Sequence, residues 1–348
     1  MKYPFLIKGE EGVKMDRRKF LKWMGLAGLG LSPLVLASPV KELIGAKSLN
    51  SVSKTRPMMG TFVTVAVLDS SADRATEAME KAFGEMERLI PLLSRHEPES
   101  PVSFLNQNGY LKDIPGELHE VMQKVKKVHQ LTYGCFDITV KPILDLYVEH
   151  FSQYKTPPPD EEIRATLKRV GYKYLSYAPE EIRFAREGMG ISLDGIAKGF
   201  IVEKAIKKMK DMGVKHALIN AGGDIQVVGD KGNSQPWKIA IQDPRERSKM
   251  AEIISLREGA IATSGDYESY FDPERKYHHI IDPETGFSPH HLASVSVLCP
   301  SLTLADALAT ALFVAPYPEI GQLISSLPNT SGLIIDHQGN KKKISGLV

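Results

Sequence analysis

The sequence predicts a mixed protein in which strands and helices both contribute to the core. Three observations carry that reading. Phe62, Val63, Val65 and Val67 concentrate β-forming residues in 61–68. Ala75, Ala78, Met79, Ala82, Phe83, Met86, Leu89 and Ile90 recur at helical spacing. Farther on, Ala217-Leu218-Ile219-Asn220 breaks at a glycine pair and resumes as Ile225-Gln226-Val227-Val228, the pattern of strand, turn and strand.

In chain order, residues 38–55 read as a polar linker, and the first strand follows Met58-Met59-Gly60 directly. The striped helix opens at Asp73 and is expected to stop at Pro91, which has no amide hydrogen to continue it. A polar loop, 94–101, leads to Val102–Gly109, whose end is a turn, and a second helix is expected over 117–131. Tyr133–Val140 reads as a turn into a short strand. Thr156-Pro157-Pro158-Pro159-Asp160 is a stiff surface connector and a good helix start. Gly190–Phe200 passes into a helix ending near Met212, and strands follow around Trp237–Ile241, within 253–262 and over 293–298. A helix over 302–313 and a closing hairpin around Gln338-Gly339 complete the chain.

At 348 residues, 42% hydrophobic and 25% charged, the chain is long enough for one large domain or two small ones. The formal net charge of +2 gives no reason to expect nucleic-acid binding. Cys135 and Cys299 are the only cysteines, too few for a structural zinc centre; one disulfide is open to them in an oxidising compartment, and two lone buried thiols are the simpler reading. Near the N-terminus, Arg17-Arg18 precedes a Gly/Ala/Leu-rich run from Trp23 to Leu31 and the small-residue exit Leu36-Ala37-Ser38. That is the pattern of a Tat-type export signal: the apolar run is shorter than the ~20 residues a membrane span needs. Residues 1–37 are therefore an N-terminal extension and signal, the chain is expected to be exported to the periplasm or cell envelope, and any membrane association would be through this segment.

Asp306 poses the chemical question. It lies within Leu302-Thr303-Leu304-Ala305-Asp306-Ala307-Leu308-Ala309-Thr310-Ala311-Leu312-Phe313, apolar enough that the carboxylate must be compensated by a partner or a cation. Thr310, at i+4, shares its helix face, so the two oxygens suit a hard cation such as Mg2+. A helix cap or a hydrogen bond to a loop would serve as well. Four polar, glycine-containing stretches add candidates: 194–199 with Lys198, 220–224, 263–267 and 278–286. Glycines let a backbone approach a ligand closely, and His279, beside a turn, suits a general base or a ligand.

Taken in order, Met59-Gly60-Thr61, Gly134-Cys135-Phe136-Asp137-Ile138-Thr139, Leu193-Asp194-Gly195-Ile196-Ala197-Lys198-Gly199, Asn220-Ala221-Gly222-Gly223-Asp224, Thr263-Ser264-Gly265-Asp266-Tyr267, His279-Ile280-Ile281-Asp282-Pro283-Glu284-Thr285-Gly286 and Ala305-Asp306-Ala307-Leu308-Ala309-Thr310 resemble the ApbE family of FAD:protein FMN transferases. The resemblance implies one α+β catalytic domain over 56–348, T-fold-like, with mixed or antiparallel sheets and packed helices. It implies FAD as substrate, FMN transferred to a Thr or Ser hydroxyl of an acceptor flavoprotein, and release of AMP. It places Mg2+ on Asp306, Thr310 and a backbone oxygen near Gly195, and FAD on Met59, His96, Cys135, Phe136, Asp137, Lys198 and Ile281. His279 becomes the base for the acceptor hydroxyl. The chain departs from the family where many relatives read Asp-Leu-Gly and it reads Ser192-Leu193-Asp194. Two other outcomes belong to different classes: an exported flavin-binding protein without chemistry, and a pyrophosphatase that gives free FMN and AMP.

Overall fold

A computed structural model describes residues 49–246 and 248–344; the export signal expected within 1–37 lies outside the described residues. The main sheet has eight strands in the order β1-β2-β6-β7-β10-β11-β12-β13. They are β1 (Asn50–Met58), β2 (Thr61–Asp69), β6 (His216–Ala221), β7 (Asp224–Val228), β10 (Gly259–Gly265), β11 (Ser294–Cys299), β12 (Ser331–Ile335) and β13 (Lys341–Ile344). Every neighbouring pair is antiparallel. A small sheet joins β3 (Tyr110–Lys112), β5 (Glu181–Phe184) and β4 (Leu175–Ala178), and β8 (Trp237–Gln242) pairs with β9 (Met250–Leu256) as a separate hairpin.

Because side chains alternate across a strand, the main sheet buries both faces. Val63, Val65, Ala217, Ile219, Ala260, Ala262, Val295 and Val297 join the helical core. The intervening Ala66, Leu218, Ile225, Val227, Ile261 and Leu333 meet Trp237, Ile239, Ile241 and Ile254 of the β8–β9 hairpin. Helices α1 (Ala72–Leu93), α2 (Pro101–Asn108), α3 (Gly116–Leu131), α4 (Lys141–Gln153) and α5 (Asp160–Leu167) come between β2 and β6 with the small sheet. Next are α6 (Ala197–Asp211), α7 (Leu302–Val314) and α8 (Tyr317–Ser326).

The stretch read as a linker is in part a strand: Asn50–Met58 pairs along its whole length with β2. As the outermost strand it faces solvent with Ser51, Ser53, Lys54 and Thr55, so its composition is polar. Pro91 does not end α1, which continues to Leu93. Proline forfeits one hydrogen bond to the carbonyl a turn earlier, and so near the end the buried stripe through Leu89 and Leu93 outweighs that loss. Tyr133–Val140 is not strand-like either: Asp137 Oδ1 accepts from Thr139 N at 2.8 Å and winds Ile138–Val140 into a 3₁₀ turn.

Candidate active site

Two hairpin turns meet at one edge of the site. Met59 and Gly60, both left-handed with φ of 52° and 72°, join β1 to β2 in a two-residue loop. Gly222 and Gly223 join β6 to β7 in the same way, and a Cβ on Gly222 would sit 2.5 Å from Thr61 Oγ1. Gly223 N donates to Asn220 Oδ1 at 2.9 Å. Asp224 follows at once, and since it shares the face of Val228 it points toward the helical layer.

There Asp224 meets the first turn of α6. Lys198 Nζ lies 3.0 Å from Asp224 Oδ2, and Thr263 N donates to Oδ1 at 3.4 Å. α7 crosses close by because residue 199 is glycine: a Cβ there would lie 2.5 Å from the carbonyl oxygen of Leu302. That approach lets Gly199 N donate to Asp306 Oδ2 at 2.9 Å. One turn along α7, Thr310 Oγ1 is 3.3 Å from Ser264 Oγ, and a Cβ on Gly195 would be 3.0 Å from the same Thr310 oxygen. Asp306, Thr310, Gly195 and Lys198 therefore converge, and Asp224 and Ser264, not singled out as site residues from the sequence, join them. Both lie in glycine-containing stretches that the sequence did mark, 220–224 and 263–267, without a role for either side chain.

The electrostatics are unbalanced. Burial, and then the charge of Asp224, push the Asp306 carboxyl up to about 8 against the opposing pull of Lys198. Burial likewise raises Asp224, with Lys198 opposing it. Burial works against the Lys198 ammonium, but the two carboxylates outweigh it and hold it above its ordinary range. Two buried acids thus share one cation. Asp306, only 6% exposed, has a single backbone donor, and oxygen ligands without nitrogen or sulfur suit a hard cation. No cluster of three or more His, Cys, Asp or Glu forms a metal site among the described residues, so any cation here relies on hydroxyl and carbonyl oxygens beside the acids.

His279 belongs to the long connection 266–293 between β10 and β11. Its Nδ1 lies 2.8 Å from the carbonyl oxygen of Ser269. A carbonyl only accepts, so Nδ1 carries the hydrogen and the lone pair is on Nε2. Burial lowers its pKa, which keeps the ring neutral, and both Asp194 and Lys198 lie near enough to act on its charge. The preceding His278 is different: it is fully buried, its Nε2 donates to Pro289 O at 3.0 Å and its Nδ1 accepts from Ile280 N at 3.3 Å.

The ApbE family profile matches residues 59–334. The chain belongs to the ApbE family. It is 30% identical over 286 residues to the FAD:protein FMN transferase of Haemophilus influenzae, a match covering 77% of this chain and 82% of the relative. With the Treponema pallidum FAD:protein FMN transferase it shares 28% over 325 residues, 87% of this chain and 90% of the relative. The crystal structure of the Thermotoga maritima ApbE protein superposes with a TM-score of 0.76 at 30% identity, covering 85% of this chain and 97% of that one. The flavin transferase ApbE from Vibrio cholerae gives 0.75 at 26% identity, over 85% and 96%.

The remaining ApbE-type positions differ in their surroundings. Phe136 is buried, and its ring edge lies 3.4 Å from where a Gly195 Cβ would be. Asp137 accepts from Thr139 N and Oγ1 and from Tyr172 N, holding the turn that presents Cys135 and Phe136. Cys135 and Cys299 are not joined in a disulfide; Cys299 is buried as expected, whereas Cys135 is partly exposed because it sits in the turn ahead of Phe136. The Ile281 side chain is buried with Ile143 and Tyr147. Met59 is half-buried against the helical core. His96 Nε2 lies 4.0 Å from Asp194 Oδ2, and burial followed by the charge of Arg95 lowers its pKa. At the family departure, Ser192 is buried and its Oγ accepts from Asp194 N at 3.2 Å, while the Asp194 carboxylate turns outward to Arg95.

Proposed function

We propose that this chain is an FAD:protein FMN transferase whose reaction centre is the cluster of Asp224, Asp306, Lys198, Thr310 and His279. The observation that carries the reading is the pair of buried carboxylates sharing one lysine beside a neutral histidine with a fixed tautomer. The family membership and the names of its relatives supply the substrates: FAD and a protein acceptor.

The chemistry follows from the side chains. A Thr or Ser hydroxyl of the acceptor flavoprotein gives its proton to His279 Nε2, and its oxygen attacks the phosphorus on the FMN side of the pyrophosphate. The P–O bond to the AMP half breaks, and AMP leaves. Lys198 and the glycine-rich turns orient the phosphates, and placement with fixed charge accounts for most of the rate. Mg2+ fits Asp306, Thr310 and the backbone oxygen near Gly195, and when bound it supplies positive charge to the pyrophosphate. The twin-arginine sequence supports a periplasmic or cell-envelope location. Among the described residues no helix is long and apolar enough to cross a membrane.

Intact-mass spectrometry of a candidate exported flavoprotein, incubated with the chain, FAD and Mg2+, tests this. An added FMN mass with stoichiometric AMP is expected. AMP with free FMN would make the chain a pyrophosphatase, and FAD binding with no AMP would make it a carrier.

A further inference from the structure

Arg95 is absent from the residues to which the family resemblance points, yet it is paired with Asp194, the neighbour of Gly195. Its Nε donates to Asp194 Oδ2 at 2.9 Å, and its NH1 group lies 3.6 Å from Asp145 Oδ1. Asp145 in turn pairs with Lys141 on the next turn of α4. Through this network the cations are the more buried partners. The two cations are inside, Arg95 15% and Lys141 22% exposed, and the two acids face water, Asp194 49% and Asp145 47%. A structural brace in the same molecule is built the other way: Asp266 is 1% exposed and its partner Arg245 30%.

The location is equally specific. Asp194 immediately precedes Gly195, which packs on Thr310, and its charge acts on both His279 and Asp306. The loop bearing it is fixed: the Asn106 side-chain amide donates to Ile191 O at 3.0 Å and its carbonyl accepts from Ile191 N at 2.7 Å. On the other side, Ser103 Oγ donates to the Arg95 carbonyl at 3.1 Å. The guanidinium is thus held at a set distance from the reaction centre by a carboxylate that loses little on returning to water.

We infer that Arg95 binds the pyrophosphate of FAD and that Asp194 is its counter-ion until a phosphate oxygen displaces it. This rests on FAD being the substrate. A guanidinium suits the exchange because the fork of donors that fits a carboxylate also fits a phosphate. Repulsion between Asp194 and the incoming phosphate favours the release of Arg95 to the substrate.

The test is a double-mutant cycle on the full chain, with FAD and riboflavin binding followed by flavin fluorescence and KM separated from kcat. Loss of a charged hydrogen bond to phosphate should weaken FAD about tenfold to a hundredfold in Arg95→Ala, seen in KM, with riboflavin affinity unchanged. Arg95→Lys should recover part of the loss. Asp194→Asn should tighten FAD several-fold, and that gain should vanish in the Arg95→Ala background. If Arg95→Ala weakens riboflavin as much as FAD, or Asp194→Asn weakens FAD, the pair is a structural brace and the inference is wrong. Asp194→Asn keeps the arginine, so its sign decides even if Arg95→Ala folds poorly. Failure of the unmodified chain to bind FAD would overturn the proposed function and this inference together.

Discussion

Two buried acidic centres in this molecule are charged differently. On the β8–β9 side of the main sheet, Asp266 receives both guanidinium nitrogens of Arg245, at 2.8 and 2.7 Å, and Arg245 also donates to His337 Nδ1 at 2.9 Å. One acid, one cation and a bidentate fit leave nothing over. On the helical side, Asp224 and Asp306 divide a single lysine, and Asp306 is pushed up to about 8. A protein gains nothing in stability from such an imbalance, since burying charge costs more than imperfect pairing returns. The matched centre holds the fold together, whereas the unmatched one is where we propose that a cation binds.

The histidine pair repeats the contrast at neighbouring positions. His278 uses both ring nitrogens on backbone groups, and His279 uses one.

The largest effect that would sharpen this comparison is on turnover. Asp306→Asn should reduce FMN transfer by about a thousandfold or more, as removal of transition-state charge stabilisation does, while leaving the thermal midpoint equal or higher. A lower midpoint together with retained activity would erase the distinction between the centres. His279→Gln should cost about a hundredfold in kcat, within the usual contribution of a general base, with FAD affinity retained. Next comes stability. Asp266→Ala should destabilise the fold by about 4 kcal/mol in denaturant titration, because Arg245 is left without its carboxylate. His278 supplies the smallest effect. Burial lowers its pKa to about 4, so the folded state resists a proton that the unfolded chain takes up near 6.5. Its stabilisation is complete above pH 6.5 and is lost as pH falls toward 4, by about 3 kcal/mol. Thermal midpoints of His278→Gln measured across that window should show a flatter slope than those of the parent chain.

Much of this was legible in the sequence. α7 is buried on nearly all sides, as its composition indicated, with Ser301 as its cap and Glu203 Oε2 accepting from Ser301 Oγ, Thr303 N and Thr303 Oγ1. Asp306 and Thr310 share a face because helical spacing is local. The glycine pair at 222–223 makes the expected turn. What stayed hidden depends on distant chain segments. β1 reads as polar because solvent lies along it, and its pairing is written in β2. The partnership of Lys198 with Asp224, and of Arg95 with Asp194, spans segments that no periodicity connects. Pro91 misled because the rule about proline concerns a lost hydrogen bond, and near a helix end the packing of Leu89 and Leu93 is worth more.

The central claim is that the Asp224–Asp306 centre holds one carboxyl more than Lys198 can neutralise, which a bound cation would ionise, and thermal unfolding without FAD tests it most directly. Millimolar Mg2+ should raise the midpoint of the unmodified chain in a concentration-dependent way, since a ligand bound only by the folded state stabilises it. Asp306→Asn should abolish that response, and Asp266→Asn should leave it intact. An equal Mg2+ response in the unmodified chain and Asp306→Asn would contradict the account.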